Sequence, residues 1–247
     1  MSFSTLSIDL AYKRYADIGA ALLDCDRQPE GERWTIRLLD VPLCGDPTVG
    51  ALVEWMVAVV RDHDIRVVCV DGPLGWKWEG AAAPFCRVSE RAVRTPGKTG
   101  LPPDGVKPAN YLPFTRFSIA LFEALTTTHG WPLAGQHGKP SAPRPSARVP
   151  VVTETFPTAA WRALGLTPLA GKGKCTTADV FAACTRLAAR LPLTLPEPVT
   201  HDQLQAVVGG LAGAWLAADR ASRVHFAGDA PFRLDGCWRE GYIMVPA

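Results

Sequence analysis

The chain lacks most of the signatures that announce a function at once. It has no Cys-x-x-Cys pair, and its seven cysteines (25, 44, 69, 86, 175, 184 and 237) are an odd number. Those spacings argue against a structural zinc site and for reduced thiols. It lacks an excess of charge, since 26 Lys and Arg against 24 Asp and Glu leave a net charge of only +2. Bulk charge therefore does not mark a nucleic-acid binder, although a local basic rim can still serve one. It lacks a GxxxxGK[ST] phosphate loop, a GxGxxG fingerprint, a GxSxG nucleophile elbow and an HExxH zinc helix. The 13-residue stretch "AVVGGLAGAWLAA" falls short of the roughly 20 residues a bilayer span needs. The opening "MSFSTLSIDLAYKRY" has no basic start followed by an apolar stretch, so no signal peptide is expected. These absences predict a soluble, cytoplasmic chain with no membrane partner.

With 47% hydrophobic residues, the chain can bury a full core. "FSTLSIDLA" (3–11), "ADIGAALLD" (16–24) and "ERWTIRLLDV" (32–41) read as three consecutive antiparallel strands with short turns between them. Asp46 and Pro47 then read as the cap and first turn of a helix. Its apolar stripe is Val49, Leu52, Val53, Met56, Val57 and Val60. "IRVVCVD" (65–71) reads as a buried central strand, parallel to the first.

Residues 76–112 form an insertion rich in Pro, Gly and basic residues around a short helix, "CRVSERAVR". A helix over 114–128, a loop over 129–150 expected to be flexible, and a fifth strand "VVTETF" (151–156) follow. "PTAAWRALG", "TTADVFAACTRLAARL" and "DQLQAVVGGLAGAWLAAD" read as helices, and "EGYIMVP" as a closing strand. The order β-β-β-α-β-α-β-α predicts one α/β domain over 1–247. Its outline is that of a ribonuclease H-like mixed sheet of five strands flanked by helices, with insertions after the fourth strand.

Acidic residues occupy related places in that order. Asp9, Asp71 and Glu154 end strands, and Asp202 opens the last long helix. Sites in open α/β sheets collect at the carboxyl ends of the strands, so these acids converge if the first, fourth and fifth strands are parallel neighbours. Converging carboxylates repel unless a cation offsets them. Mg²⁺ or Mn²⁺ is the expected cofactor, because both favour carboxylate and water ligands. Asp9 follows an apolar run and precedes "LA" rather than a turn, but the other three acids also have a plainer reading. Asp71 in "DG" is a turn former, Asp202 in "THDQ" a helix cap, and Glu154 a solvated strand residue. Lys13, Arg87, Arg91 and Lys172 are candidates for phosphate, each with a solvated surface charge as its alternative. Trp76 and Trp78 follow the fourth strand and read equally as base-stacking residues or lid anchors.

"SIDLA", "VVCVDGPLGW", "CRVSERAVR", "TETFPTAAWRALG", "GKGK", "HDQLQAVVGGLAGAWLA" and "EGYIMVP", in that order, resemble domain-of-unknown-function family 429 over nearly the whole chain. The family is regarded as a predicted ribonuclease H-like nuclease. The resemblance implies acids at Asp9, Asp71 and Glu154; with Asp202, one helical turn before Gln205, as a substitute for the family's helix acid, the expected metal ligands are Asp9, Asp71 and Asp202, with Glu154 as a further ligand or base. It also implies Arg87 and Lys172 as the family's basic positions, and DNA or RNA as the partner. One position departs from the pattern, since Gln205-Ala206 stands where the family shows Asp-Ala. Two readings follow, a metal-dependent phosphodiesterase or a degenerate member that binds nucleic acid or nucleotide without cutting. A sugar-kinase-like nucleotide binder ranks behind both, because "DLAYKRYADIG" has no glycine-rich phosphate turn.

Overall fold

A computed structural model describes residues 3–29, 31–137 and 149–247. In chain order its elements are β1 (Thr5–Asp9), β2 (Gly19–Gln28), β3 (Gly31–Leu39), α1 (Val49–Asp62) and β4 (Val67–Asp71). Next come α2 (Val88–Val93), β5 (Lys98–Thr99), β6 (Val106–Lys107), α3 (Leu112–Glu123), β7 (Val151–Thr155) and α4 (Pro157–Ala163). The chain closes with α5 (Thr177–Arg190), α6 (His201–Ala217), β8 (Val224–Ala227), β9 (Phe232–Leu234), β10 (Cys237–Arg239) and β11 (Ile243–Pro246).

The central sheet is mixed and has seven strands in the order β3-β2-β1-β4-β7-β11-β8. β1, β4, β7 and β11 run parallel, while β2, β3 and β8 run antiparallel to their neighbours. The fold is therefore α/β as expected, but the sheet has two more strands than the five expected. β11, the closing strand, pairs with β7, and the four-residue β8 pairs beyond it. Short strands such as "VHFA" carry too little alternation to announce themselves.

Side chains alternate across the pleat and feed two cores. Leu23, Cys69, Leu204, Val207, Leu211, Trp161 and Trp215 fill the layer between the sheet and α4, α5 and α6. Leu6, Ile8, Leu22, Val68, Val70, Leu52, Met56 and Phe122 fill the layer under α1 and α3. A fully buried side chain of this kind contributes about 1.5–3 kcal/mol.

α6 lies close on the sheet because small residues face it. A Cβ on Gly210 would stand 2.7 Å from the Ser7 Cβ, and one on Gly213 2.5 Å from the Cys69 Sγ. The closest approach is at the sheet's end. A Cβ on Gly19 would fall 2.0 Å from the Asp202 carbonyl oxygen. Gly19 pairs with Asp9 in the β1–β2 ladder, so this contact sets the first turn of α6 beside the end of β1.

Some local expectations shift. Thr48, not Asp46, caps α1, its hydroxyl accepting from the Ala51 N–H at 3.3 Å. Thr200, not Asp202, caps α6, in a capping box with Gln203. That leaves the Asp202 carboxylate, in the first turn, available to other partners. Of the loop expected to be flexible over 129–150, Trp131, Leu133 and Ala134 are buried, and Leu133 bridges to Val152. Residues 138–148 of that loop lie outside the described residues. Among the described residues, no helix is long and apolar enough to cross a membrane.

Candidate functional site

The site lies at the carboxyl ends of β1, β4 and β7. The register sets Asp9 beside Asp71, and Asp71 beside Thr155. All three residues therefore face α6. The Asp9 and Asp71 carboxyls hydrogen-bond to each other. Two carboxyls can do this only if one keeps a proton. Burial raises Asp9 well above the ordinary carboxylate range, with the charges of Asp71 and Asp202 adding to it. Burial likewise pushes Asp71 up to about 7, despite the bond from Asp9. The two titrate as a unit that holds a proton into the neutral range.

Asp202 reaches the same region from α6, close enough for its charge to act on Asp9. Its carboxylate is already partnered. One oxygen accepts from the Lys172 ammonium, and the other lies 2.8 Å from His201 Nδ1. His201 Nε2 is 3.0 Å from the Ala170 carbonyl, which ties α6 to the "AGKGKC" loop. Lys172 also donates to Asp17 at 2.7 Å. Although burial acts the other way, Asp17 and Asp202 raise Lys172 above its ordinary value. Asp17 is held down to about 2 by the Arg14 guanidinium and by Lys172. Expected to hold phosphate, Lys172 is instead an internal counter-ion for two carboxylates.

Glu154 does not join the acids. It pairs with Val70 rather than Asp71, so strand alternation turns it to the opposite face. There it is buried, 3% exposed, against the fully buried Arg87. Arg87 Nη1 and Nη2 each donate to a Glu154 oxygen at 2.6 Å, the bidentate geometry that suits guanidinium and carboxylate. The Leu74 N–H donates to Glu154 at 3.0 Å. Arg87 Nε donates to Glu90 at 3.1 Å, and Glu90 also accepts from the Thr99 N–H at 2.8 Å. Burial would lower the Arg87 guanidinium, but Glu154 and Glu90 hold it up. Two carboxylates against one guanidinium leave nothing for a phosphate. Neither Glu154 as a ligand or base nor Arg87 as a phosphate holder fits this geometry.

A third buried carboxylate, Glu240, accepts from the Trp78 and Val88 N–H groups, both at 2.9 Å. This network ties the insertion to β7 and to the chain end. Glu90 and Glu240 gave no sign of this in the sequence. The one available clue is that Glu90 sits at the N3 capping position of α2.

The remaining candidates separate. Lys13 is exposed at the mouth of a cavity beside Asp71, its ammonium 5.7 Å from the Tyr12 ring centre. Arg91 is exposed on α2 and does not line that cavity. Trp76 is buried in the fold. Trp78 packs edge-on against Phe232 at 5.6 Å, and neither tryptophan lines the cavity. Gln205, which departs from the family pattern, accepts from Trp161 Nε1 at 2.8 Å, so its carbonyl is engaged. All seven cysteines are free thiols, and burial pushes Cys25 up to about 12.

The cavity measures about 450 Å³. Its walls come from Tyr12 and Lys13 after β1, from Asp71 to Pro73, from the insertion, from the start of α3 and from Thr155 and Phe156. Among the described residues, no cluster of three or more His, Cys, Asp or Glu side chains is gathered tightly enough to hold a metal ion. Asp9 and Asp71 present hard oxygen donors side by side. Two carboxylates, completed by water and substrate phosphate, are the usual protein share of a Mg²⁺ site. The pair fits that mode, and Asp202 fits it only when released from Lys172. No protein-family model, curated protein or solved structure matches the chain.

Proposed function

We propose that this chain is a metal-dependent phosphodiesterase of ribonuclease H-like type, acting on nucleic acid. The observation that carries the reading is the Asp9–Asp71 pair, abreast on parallel neighbours and sharing a proton that a cation could replace. The order β3-β2-β1-β4-β7, with β2 and β3 antiparallel, supports it, because it is the outline expected from the resemblance to domain-of-unknown-function family 429.

In this reading Asp9 and Asp71 would hold Mg²⁺ or Mn²⁺, and Asp202 would be a third ligand only if released from Lys172. When bound, such an ion activates water and stabilises the oxygen leaving a phosphodiester. The chain's own residues do the rest. Gly19 lets α6 present Asp202 to the pair, and His201 orients the Asp202 carboxylate. Lys172 neutralises that carboxylate. Lys13, exposed and in no ion pair among the described residues, is the cation placed to meet a phosphate at the cavity mouth.

A second reading, binding without cleavage, is favoured by one observation. The Lys172 ammonium already partners Asp202, supplying positive charge without a metal. Calorimetric titration of Mg²⁺ and Mn²⁺ into the wild type and Asp9→Asn, followed by cleavage assays on single-stranded and structured DNA and RNA, separates the two. Metal binding lost in Asp9→Asn together with metal-dependent cleavage supports the phosphodiesterase. Absence of metal binding at millimolar concentrations, with every substrate intact, refutes it.

A further inference from the structure

The cavity beside Asp71 has an unusual wall. Four of its side chains are aromatic rings, those of Tyr12, Tyr111, Phe114 and Phe156, all half-exposed. None is Leu, Ile, Val or Met; the other apolar contributions are two prolines. Aliphatic side chains shape a pocket for an aliphatic ligand, whereas flat faces suit a flat one.

The rings are set by their surroundings. Tyr12 and Phe114 meet at 6.4 Å between centres and make one wall. The Tyr111 ring rests against Gly97, where a Cβ would stand 2.8 Å from its Cδ1. Gly72 lets α3 close on the turn after Asp71, since a Cβ there would lie 2.4 Å from the Ser118 Oγ and 3.3 Å from the Phe114 Cζ. Asn110 also lines the cavity and adds a hydrogen-bonding group, while the Thr95 hydroxyl is already bonded to the Gly97 carbonyl at 2.6 Å. The charged floor is internally matched, as Arg87, Glu154 and Glu90 bind one another. Lys13 is the cation left at the mouth.

We infer that this cavity receives one unpaired nucleotide, its base against the aromatic rings and its phosphate on Lys13, at the mouth beside Asp71. The inference deepens the proposed function by naming the substrate class, and it rests on that reading for the role of Asp71. Its volume of about 450 Å³ is that of a site for a single small ligand. A paired base within a duplex could not enter without leaving its stack. The chemistry recognised is that of a nucleoside monophosphate, whether free or at the end of a strand.

Calorimetry in excess EDTA tests the inference without requiring metal or cleavage. The probes are AMP, UMP, ribose 5-phosphate, a single-stranded oligonucleotide and a blunt hairpin duplex. AMP or UMP should bind with Kd below about 1 mM, and ribose 5-phosphate at least tenfold more weakly. Tyr111→Ala should weaken nucleotide binding about tenfold or more, as loss of one stacking partner does, and Tyr111→Trp should restore it. Tyr12→Leu, in the loop after β1, serves if Tyr111→Ala does not fold. Tighter binding of the single strand than of mononucleotides assigns the site to strand ends; the reverse assigns it to free nucleotides. Nucleotides that fail to bind, or that bind no better than ribose 5-phosphate, overturn the inference. So does duplex binding equal to single-strand binding and unmoved by either variant. A nucleotide site without metal-dependent cleavage would keep this inference and reject the phosphodiesterase reading.

Discussion

Replacing Asp71 with asparagine should make the protein more stable at pH 8, although it removes an acid from the centre of the site. Burial raises the folded-state value of Asp71 from 3.8 to about 7. In the unfolded chain the carboxyl ionises near its ordinary value. Between about pH 4 and 7 the native state therefore holds more protons than the unfolded state, and stability falls as pH rises. A shift of that size corresponds to at most ~4 kcal/mol. The site is part-exposed and Asp9 shares the proton, so solvent screening and coupling leave about 1–2 kcal/mol. The introduced amide would carry no charge to desolvate, and its carbonyl would accept from the Asp9 carboxyl as Asp71 does. For a chain of this length that predicts a rise in Tm of about 2–8 °C at pH 8. The gain should shrink to nothing near pH 4, where the wild-type pair is fully protonated. Calorimetric melting from pH 4 to 8 in EDTA reads this directly. A Tm for Asp71→Asn at or below wild type at pH 8 would refute the desolvated, proton-sharing pair.

Glu154→Gln should destabilise by about 3 kcal/mol, because it leaves the buried Arg87 guanidinium short of one of its two carboxylates; urea unfolding checks it, and an unchanged midpoint would mean that Glu154 is solvated after all. Lys172→Met should tighten Mg²⁺ binding at the acids, since it removes the ammonium that now neutralises Asp202; calorimetry should show a lower Kd, and weaker binding would make Lys172 a helper of the metal rather than its competitor. Gly19→Ala should lower Tm and loosen the coupling of Asp202 to Asp9, because its Cβ would collide with the Asp202 carbonyl; an unchanged Tm would show that the first turn of α6 is free to shift.

The acids of β1 and β4 were legible because each ends an apolar run, and a charge there stands out against the strand. The failure at Glu154 is one of register. Alternation within "VVTET" was visible, but which residue stands beside Asp71 depends on how two strands slide past each other, and a slip of one residue reverses the face. With Thr155 beside Asp71, Glu154 had to point the other way. Arg87 and Lys172 were legible as basic positions. Glu154 lies 67 residues from Arg87 and Asp202 30 residues from Lys172, so no local pattern could show those pairs, and only Glu90, three residues from Arg87, was within local reach. The cap at Thr200 was recoverable, since Thr200 and Gln203 have capping-box spacing, but the adjacent acid offers a competing cap. The aromatic cavity draws Tyr12, Tyr111, Phe114 and Phe156 from three separate stretches of chain, which only the fold brings together.

The contact at Gly19 makes the distance between Asp202 and the Asp9–Asp71 pair a property of a residue with no functional group. A backbone hydrogen atom acts as the spacer. Because the helix end bears directly on the strand that pairs with Asp9, a change of one methyl group there moves the third acid while every acid remains in the sequence. The arrangement of the acids can thus change with the full set of carboxylates intact, and an inventory of acidic residues would not detect it.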